Sequence, residues 1–145
     1  MSETQAQVTV SESGAPYAQA VIVGRHVLTA DEPLSQGGRD VGPSPYEYVL
    51  AGLGACTLIT MRMYADRHKW PLSRARVELW HEKVPATGGA PASDRFRRII
   101  HLEGDLAEEQ RSRLLQIAEH CPVSETLRRA SSVDTTLAGL SPRAM

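Results

Sequence analysis

Two cysteines, two lysines and a single phenylalanine are all that a chain of 145 residues contains of these types, and aromatics make up only 5%. So few aromatics leave little for an aromatic cofactor box, and Met61, Met63 and Tyr64 read as packing material. The histidines and cysteines show no Cys-x-x-Cys and no His-x-x-x-His spacing, so no metal centre is expected, and nothing in the pattern calls for a bound cofactor. Sixteen basic residues against seventeen acidic ones leave no net field to attract nucleic acid or an anionic membrane. The N-terminus lacks a basic region followed by an apolar run, so no secretory signal is read and a cytoplasmic location is expected. The longest apolar run, between Glu47 and Arg62, suits a buried core helix better than a membrane span.

What is present is an ordinary globular balance of 41% hydrophobic and 23% charged residues, at a length that makes 1–145 a single domain. Residues 6–11 alternate polar and apolar, and 17–30 read as strands broken at Gly24, together an N-terminal meander. The Asp-, Pro-, Ser- and Gly-rich stretch from 31 to 45 reads as a surface loop. Ser44 is a plausible N-cap with Pro45 in the first helical position, and the helical pattern runs from there to about Trp70, before Pro71. Because Tyr48 to Met61 is apolar nearly all round, this helix is expected at the centre of the molecule, buried on every side.

Beyond it, 75–84 has the period of two of a half-buried strand, and 95–104, with Phe96, Ile100 and Leu102 on one side, reads as its hairpin partner. Asp105 and Glu108 resemble a capping box, and Leu114, Ile117, Ala118 and Cys121 fall on one helical face, which would end a second helix on a cysteine. Pro122 can open a short third helix, and Val133 to Leu137 read as a last strand. His81 and His101 are explained as side chains on a sheet face. The order of elements is an α+β pattern.

The chemistry rests on Cys56, inside the long apolar helix, and Cys121, 65 positions later. Taken alone, either thiol reads as a small buried hydrophobe, since free cysteine is among the most buried residue types. A reacting cysteine must instead be a thiolate in a pocket, and a second thiol can trap its sulfenic acid as a disulfide. Cys121 sits at a helix N-terminal end, which favours an anion, whereas Cys56 lies mid-helix with its backbone N–H already used.

"GPSPYEYVLAGLGACT", followed by "CPVSETL", resembles the paired cysteine signatures of the OsmC/Ohr family, in particular its OsmC-like branch of small redox proteins. The resemblance covers most of residues 18–137. It implies an OsmC-like fold, with antiparallel sheets wrapped around long central helices in an intertwined homodimer whose sites lie at the subunit interface. It further implies a thiol peroxidase that reduces organic hydroperoxides. By motif, Cys56 takes the peroxidatic place and Cys121 the resolving one, and an external dithiol supplies the electrons.

Family peroxidases also carry an arginine from an early turn and a glutamate directly after the proline. Here Tyr46 follows Pro45 and Glu47 comes one place later, about 180° around a straight helix from Cys56. The early turn "SESGAP" has no arginine, and Arg39 in the "GGRD" loop stands as the candidate thiolate partner, with Glu47 as the candidate carboxylate. A second reading keeps the dimer without efficient catalysis, as a binder of a small apolar or thiol-bearing ligand at its interface.

Overall fold

A computed structural model describes residues 7–139. The N-terminal meander is present as β1 (Thr9–Gly14), β2 (Ala18–Val23) and β3 (His26–Ala30), an antiparallel sheet in that order. Ala6, the first residue of the expected strand, lies outside the described residues. Val23 pairs with His26 across a two-residue turn, and Gly24 supplies the left-handed backbone (φ 59°) that such a turn requires.

The loop that follows is organised by Asp31. Its carboxylate accepts the backbone N–H groups of Glu32 (2.7 Å), Arg39 (3.2 Å) and Val41 (3.3 Å), so the loop from 31 to 44 closes around one buried side chain. The Tyr48 hydroxyl donates to the Thr29 carbonyl and ties the meander to the next element.

That element is α1 (Pro45–Arg67). Ser44 caps it as the sequence predicts: its Oγ accepts from the Glu47 N–H, and the Glu47 carboxylate accepts from the Ser44 N–H at 2.9 Å. The helix ends three residues before Trp70. Lys69 adopts a left-handed φ of 56°, while the Trp70 and Lys69 N–H groups turn back to the Ala65 and Asp66 carbonyls. This is a Schellman closure with lysine where glycine is usual.

The expectation of burial all round α1 is corrected. Leu53, Gly54, Thr57, Met61 and Ala65 are buried, whereas Val49, Ile59 and Met63 on the other side are exposed. The helix is also long and apolar enough to cross a membrane by length and composition, but one face packs on protein. A methyl group added to Gly54 would come within 2.8 Å of Leu79 Cδ1, so the missing side chain is what lets α1 lie close against the hairpin.

That hairpin is β4 (Arg74–Val84) and β5 (Ser93–Glu103), paired from Arg74↔Glu103 to Val84↔Ser93. Ala75, Val77, Leu79 and His81 share the inward face with Phe96, Arg98, Ile100 and Leu102. His101 is on the opposite face from His81, so the two imidazoles are separated by the sheet.

Helix α2 (Glu108–Glu119) starts later than the Asp105–Glu108 pattern predicts: Ala107 is its N-cap, and the Gln110 side chain accepts the Ala107 N–H at 2.8 Å. Helix α3 (Pro122–Arg128) follows after His120 and Cys121. The core is formed by Met61 and Ala65 of α1, Leu114 and Ala118 of α2, and Leu72 and Leu106 of the connecting loops, with Ile100 and Leu102 closing it from the hairpin. Each fully buried side chain of leucine or methionine size contributes about 1.5–3 kcal/mol. Residues 133–137 form no strand; Val133 is 87% exposed, and among the described residues no strand pairs with them. The result is an α+β fold of two antiparallel sheets and three α-helices among the described residues.

Candidate active site

Cys121 sits where α2 hands over to α3. The α2 ladder ends at Glu119, and Pro122, which has no N–H to donate, begins the next helix, so the cysteine lies in an extended residue between the two (φ −64°, ψ 150°). It is fully buried. The α1 helix crosses beneath it, and Thr57 Oγ1 lies 4.0 Å from the Cys121 sulfur. Cys56, one residue earlier on α1, is half-buried, and its side chain lies against the Cys121 thiol. Both are free thiols, carried by α1 and by the junction of α2 and α3.

The arginine at this site is Arg98. From the inward face of β5, its Nη1 donates to Thr57 Oγ1 (2.8 Å) and to the Cys121 sulfur (3.8 Å), and its Nη2 donates to Ser124 Oγ (3.1 Å). Burial pushes the Cys121 thiol up. The Ser124 backbone N–H, the Cys56 side chain, Arg98 and Thr57 together more than offset this and hold it below the ordinary thiol value. Cys121 makes no capping hydrogen bond of normal geometry, so the Ser124 N–H acts on the sulfur as a nearby dipole.

The other two residues singled out from the sequence are elsewhere in the chain. The Glu47 carboxylate closes the N-terminal cap of α1, where the Ser44 N–H and hydroxyl hold it below the usual glutamate value. Arg39 is a loop residue whose backbone N–H and charge serve Asp31. Within one chain no hydrogen bond or ion pair among the described residues joins either to the thiols: the cap and the loop lie at the N-terminal end of α1, and Cys56 at its middle. Tyr46 is stacked on His81 (centroids 4.3 Å, interplanar angle 8°), and its hydroxyl accepts from Lys83 at 2.9 Å.

The sequence does not single out Arg98, because it stands among the apolar positions of a strand. The signal is there: in "RFRRIIHL" the period of two that turns Phe96, Ile100 and Leu102 inward also turns residue 98 inward, and that residue is an arginine.

Beside these groups is a cavity of about 520 Å³, lined by Leu53, Phe96, Arg98, Ser124 and Leu127 among others. Its walls are mostly polar, with Asp94, Arg95, Arg97, Glu119 and Arg128 beside the apolar Leu53, Phe96 and Leu127, and Arg98 and Ser124 connect it to the buried Cys121.

Fold and paired thiols define an α+β dithiol protein. The chain belongs to the OsmC-like protein family, whose sequence model matches residues 37–136. Solved structures with the same fold include an OsmC-like protein from Mycoplasma pneumoniae (TM-score 0.71, 17% identity, 88% of this chain and 89% of that one). An organic hydroperoxide resistance protein from Elizabethkingia anophelis (0.64, 18%, 87% and 91%) is similar, as is the organic hydroperoxide resistance protein OhrB of Bacillus subtilis (0.59, 18%, 83% and 90%). No curated protein sequence matches the chain closely enough to count as a relative.

Proposed function

We propose that this protein is a thiol-dependent peroxidase that reduces organic hydroperoxides through Cys56 and Cys121. The observation that carries the reading is the meeting of these two free thiols, 65 residues apart in sequence, beside the Arg98 guanidinium. One thiolate attacks the terminal peroxide oxygen; an S–O bond forms, the O–O bond breaks, and the alkoxide leaves and takes a proton to become the alcohol. The sulfur is now a sulfenic acid, oxidised by two electrons. The second thiol displaces its hydroxyl as water and closes a disulfide, which an external dithiol reduces by exchange.

The active assembly proposed is a homodimer, acting in the reducing cytoplasm, in which a second copy covers the exposed Val49, Ile59 and Met63 of α1. Family membership and the organic hydroperoxide resistance proteins among the structural neighbours support a peroxide-related role.

The test is mass spectrometry after one equivalent of cumene or tert-butyl hydroperoxide. A Cys56–Cys121 disulfide is expected within the time a control peroxidase needs, and two reduced thiols at that point would refute the reading. A second reading has its own observation, a cavity of about 610 Å³ between β3 and α1 lined by Val27, Leu28, Tyr48 and Ala51. In that reading the family scaffold binds a small apolar or thiol-bearing ligand without turning over peroxide, and the same experiment leaves both thiols reduced.

A further inference from the structure

We propose that Arg98 is a catalytic group of the resolving step, holding the Cys121 sulfur as the anion that attacks the oxidised Cys56. This rests on the peroxidase reading above, with Cys56 as the thiol that attacks peroxide and Cys121 as the one that resolves it.

Arg98 is half-buried on the inward face of the hairpin, and among the described residues no carboxylate pairs with it. The two carboxylates of the cavity it lines are taken, Asp94 by His81 and Glu119 by Arg128. Its acceptors are instead the hydroxyls of Thr57 and Ser124 and the sulfur of Cys121. Of these only the sulfur becomes an anion near physiological pH, so the guanidinium gains a counter-ion when Cys121 ionises.

The proton inventory points the same way. The hydroxyl proton of Thr57 goes to the Leu53 carbonyl at 2.6 Å, so towards Arg98 and Cys121 its oxygen can only accept. It fixes one Nη1 proton and leaves the other for the sulfur. Cys56 faces that sulfur from α1 and Arg98 faces it from β5. His120, Glu119, Glu125 and Arg128 of the α2–α3 junction bond to one another at the surface.

Burial decides which reaction such an anion can serve. Cys121 is fully buried and Cys56 half-buried, so a peroxide from outside reaches Cys56 and is screened from Cys121. The electrophile within reach of the Cys121 sulfur is then the oxidised Cys56 side chain lying against it. Before oxidation, ionisation of Cys56 opposes that of Cys121, because two thiolates side by side repel. Once Cys56 has become a neutral sulfenic acid this opposition is gone, and the second thiolate forms when it has something to attack. The Cys121 thiolate supplies the electron pair: an S–S bond forms, the S–O bond of Cys56 breaks, and the hydroxide released takes a proton to become water.

The experiment compares wild type with Arg98→Met in stopped-flow oxidation by increasing tert-butyl hydroperoxide at neutral pH, with a sulfenic-acid trap read by peptide mass spectrometry. Attack on peroxide scales with its concentration and disulfide closure does not, so the plateau rate reports the resolving step. In Arg98→Met the plateau is expected to fall about threefold or more, because a less ionised thiol loses more in thiolate fraction than it regains in nucleophilicity. Trapped sulfenic acid on Cys56 should rise, and Arg98→Lys should recover part of the rate. The difference from wild type should narrow as the pH rises above the free-thiol value of about 8.5, a convergence that a merely structural role would not give. An unchanged plateau, or a loss confined to the peroxide-dependent step, overturns the role given to Arg98 and leaves the peroxidase reading intact. A wild-type protein that forms neither sulfenic acid nor disulfide overturns both.

Arg98→Met alters an inward-facing residue and could fold poorly, so a second readout does without it. In Cys56→Ser, where serine is a neutral stand-in for the oxidised residue, the labelled Cβ resonance of Cys121 is followed with pH. Cys121 is expected to ionise below the free-thiol value of about 8.5, and ionisation at or above it overturns the proposal.

Discussion

Arg98 brings a positive charge into a hairpin face it shares with Ala75, Val77, Leu79, His81, Phe96, Ile100 and Leu102. A cation so placed is tolerated when its donors find acceptors, and Thr57, Ser124 and Cys121 take three of its five N–H groups. Thr57 is the residue through which this arrangement is anchored to α1, since it donates to Leu53 and accepts from Arg98 while fully buried. Thr57→Val keeps the shape and removes both bonds. A loss of about 1–2 kcal/mol in denaturant unfolding is expected, together with slower peroxide-driven disulfide formation, because the guanidinium is no longer fixed against the sulfur. Unchanged stability would mean that the Thr57–Arg98 bond contributes nothing net.

At the scale of the element, the segment from Asp31 to Ser44 shows how a loop without periodic structure is held. Burial pushes the Asp31 carboxyl up, but the N–H groups of Glu32, Val41 and Arg39 and the Arg39 charge prevail and hold it below the ordinary 3.8. Glu47 is lowered in the same sense by the Ser44 N–H and hydroxyl. For both, the unfolded chain binds protons more readily than the folded one. Their contribution to stability is therefore fully present above the unfolded value of about 4 and is lost as the pH falls through the depressed folded value. Melting temperature should fall on acidification below about pH 4.5, and Asp31→Asn should be less stable at neutral pH with a flatter acid limb. An equally steep acid limb in that variant would exclude Asp31 as a source. Ser44→Ala should cost about 1 kcal/mol by opening the cap of α1, readable by the same melting experiment.

For the whole molecule, several large apolar side chains stand exposed on α1 and on the N-terminal sheet. Ile59 (55% exposed) and Met63 (61%) lie on one side of α1, and Val10, Val27 and Leu28 are exposed on the N-terminal sheet. Exposed apolar side chains grouped on one helix face, as Ile59 and Met63 are, mark an interaction face. If a second copy covers it, as proposed, the wild-type protein sediments as a dimer and Ile59→Glu, which places a charge on that face, sediments largely as monomer. A wild-type monomer at micromolar concentration would refute the dimer.

Local signals were legible wherever chemistry acts between near neighbours. Ser44, Pro45 and Glu47 specify the start of α1; Gly24 allows the β2–β3 turn; alternation over 74–103 specifies the hairpin; and Pro122 separates α2 from α3. The same locality misled at Asp105, where a plausible cap lost to Ala107 with Gln110, and at Val133 to Leu137, where strand-forming residues pair with no strand among the described residues. The two cysteines could be paired from motif resemblance, yet their surroundings could not be read. Arg98, Thr57 and Ser124 come from three elements, and only the packing of β5 on α1 and α3 joins them. Sequence by itself determined the elements and the two thiols, because capping, turn and periodic signals act over a few residues. Tertiary structure alone decided which thiol meets the arginine, because that contact spans 23 residues from Cys121 and depends on which face of the hairpin turns inward.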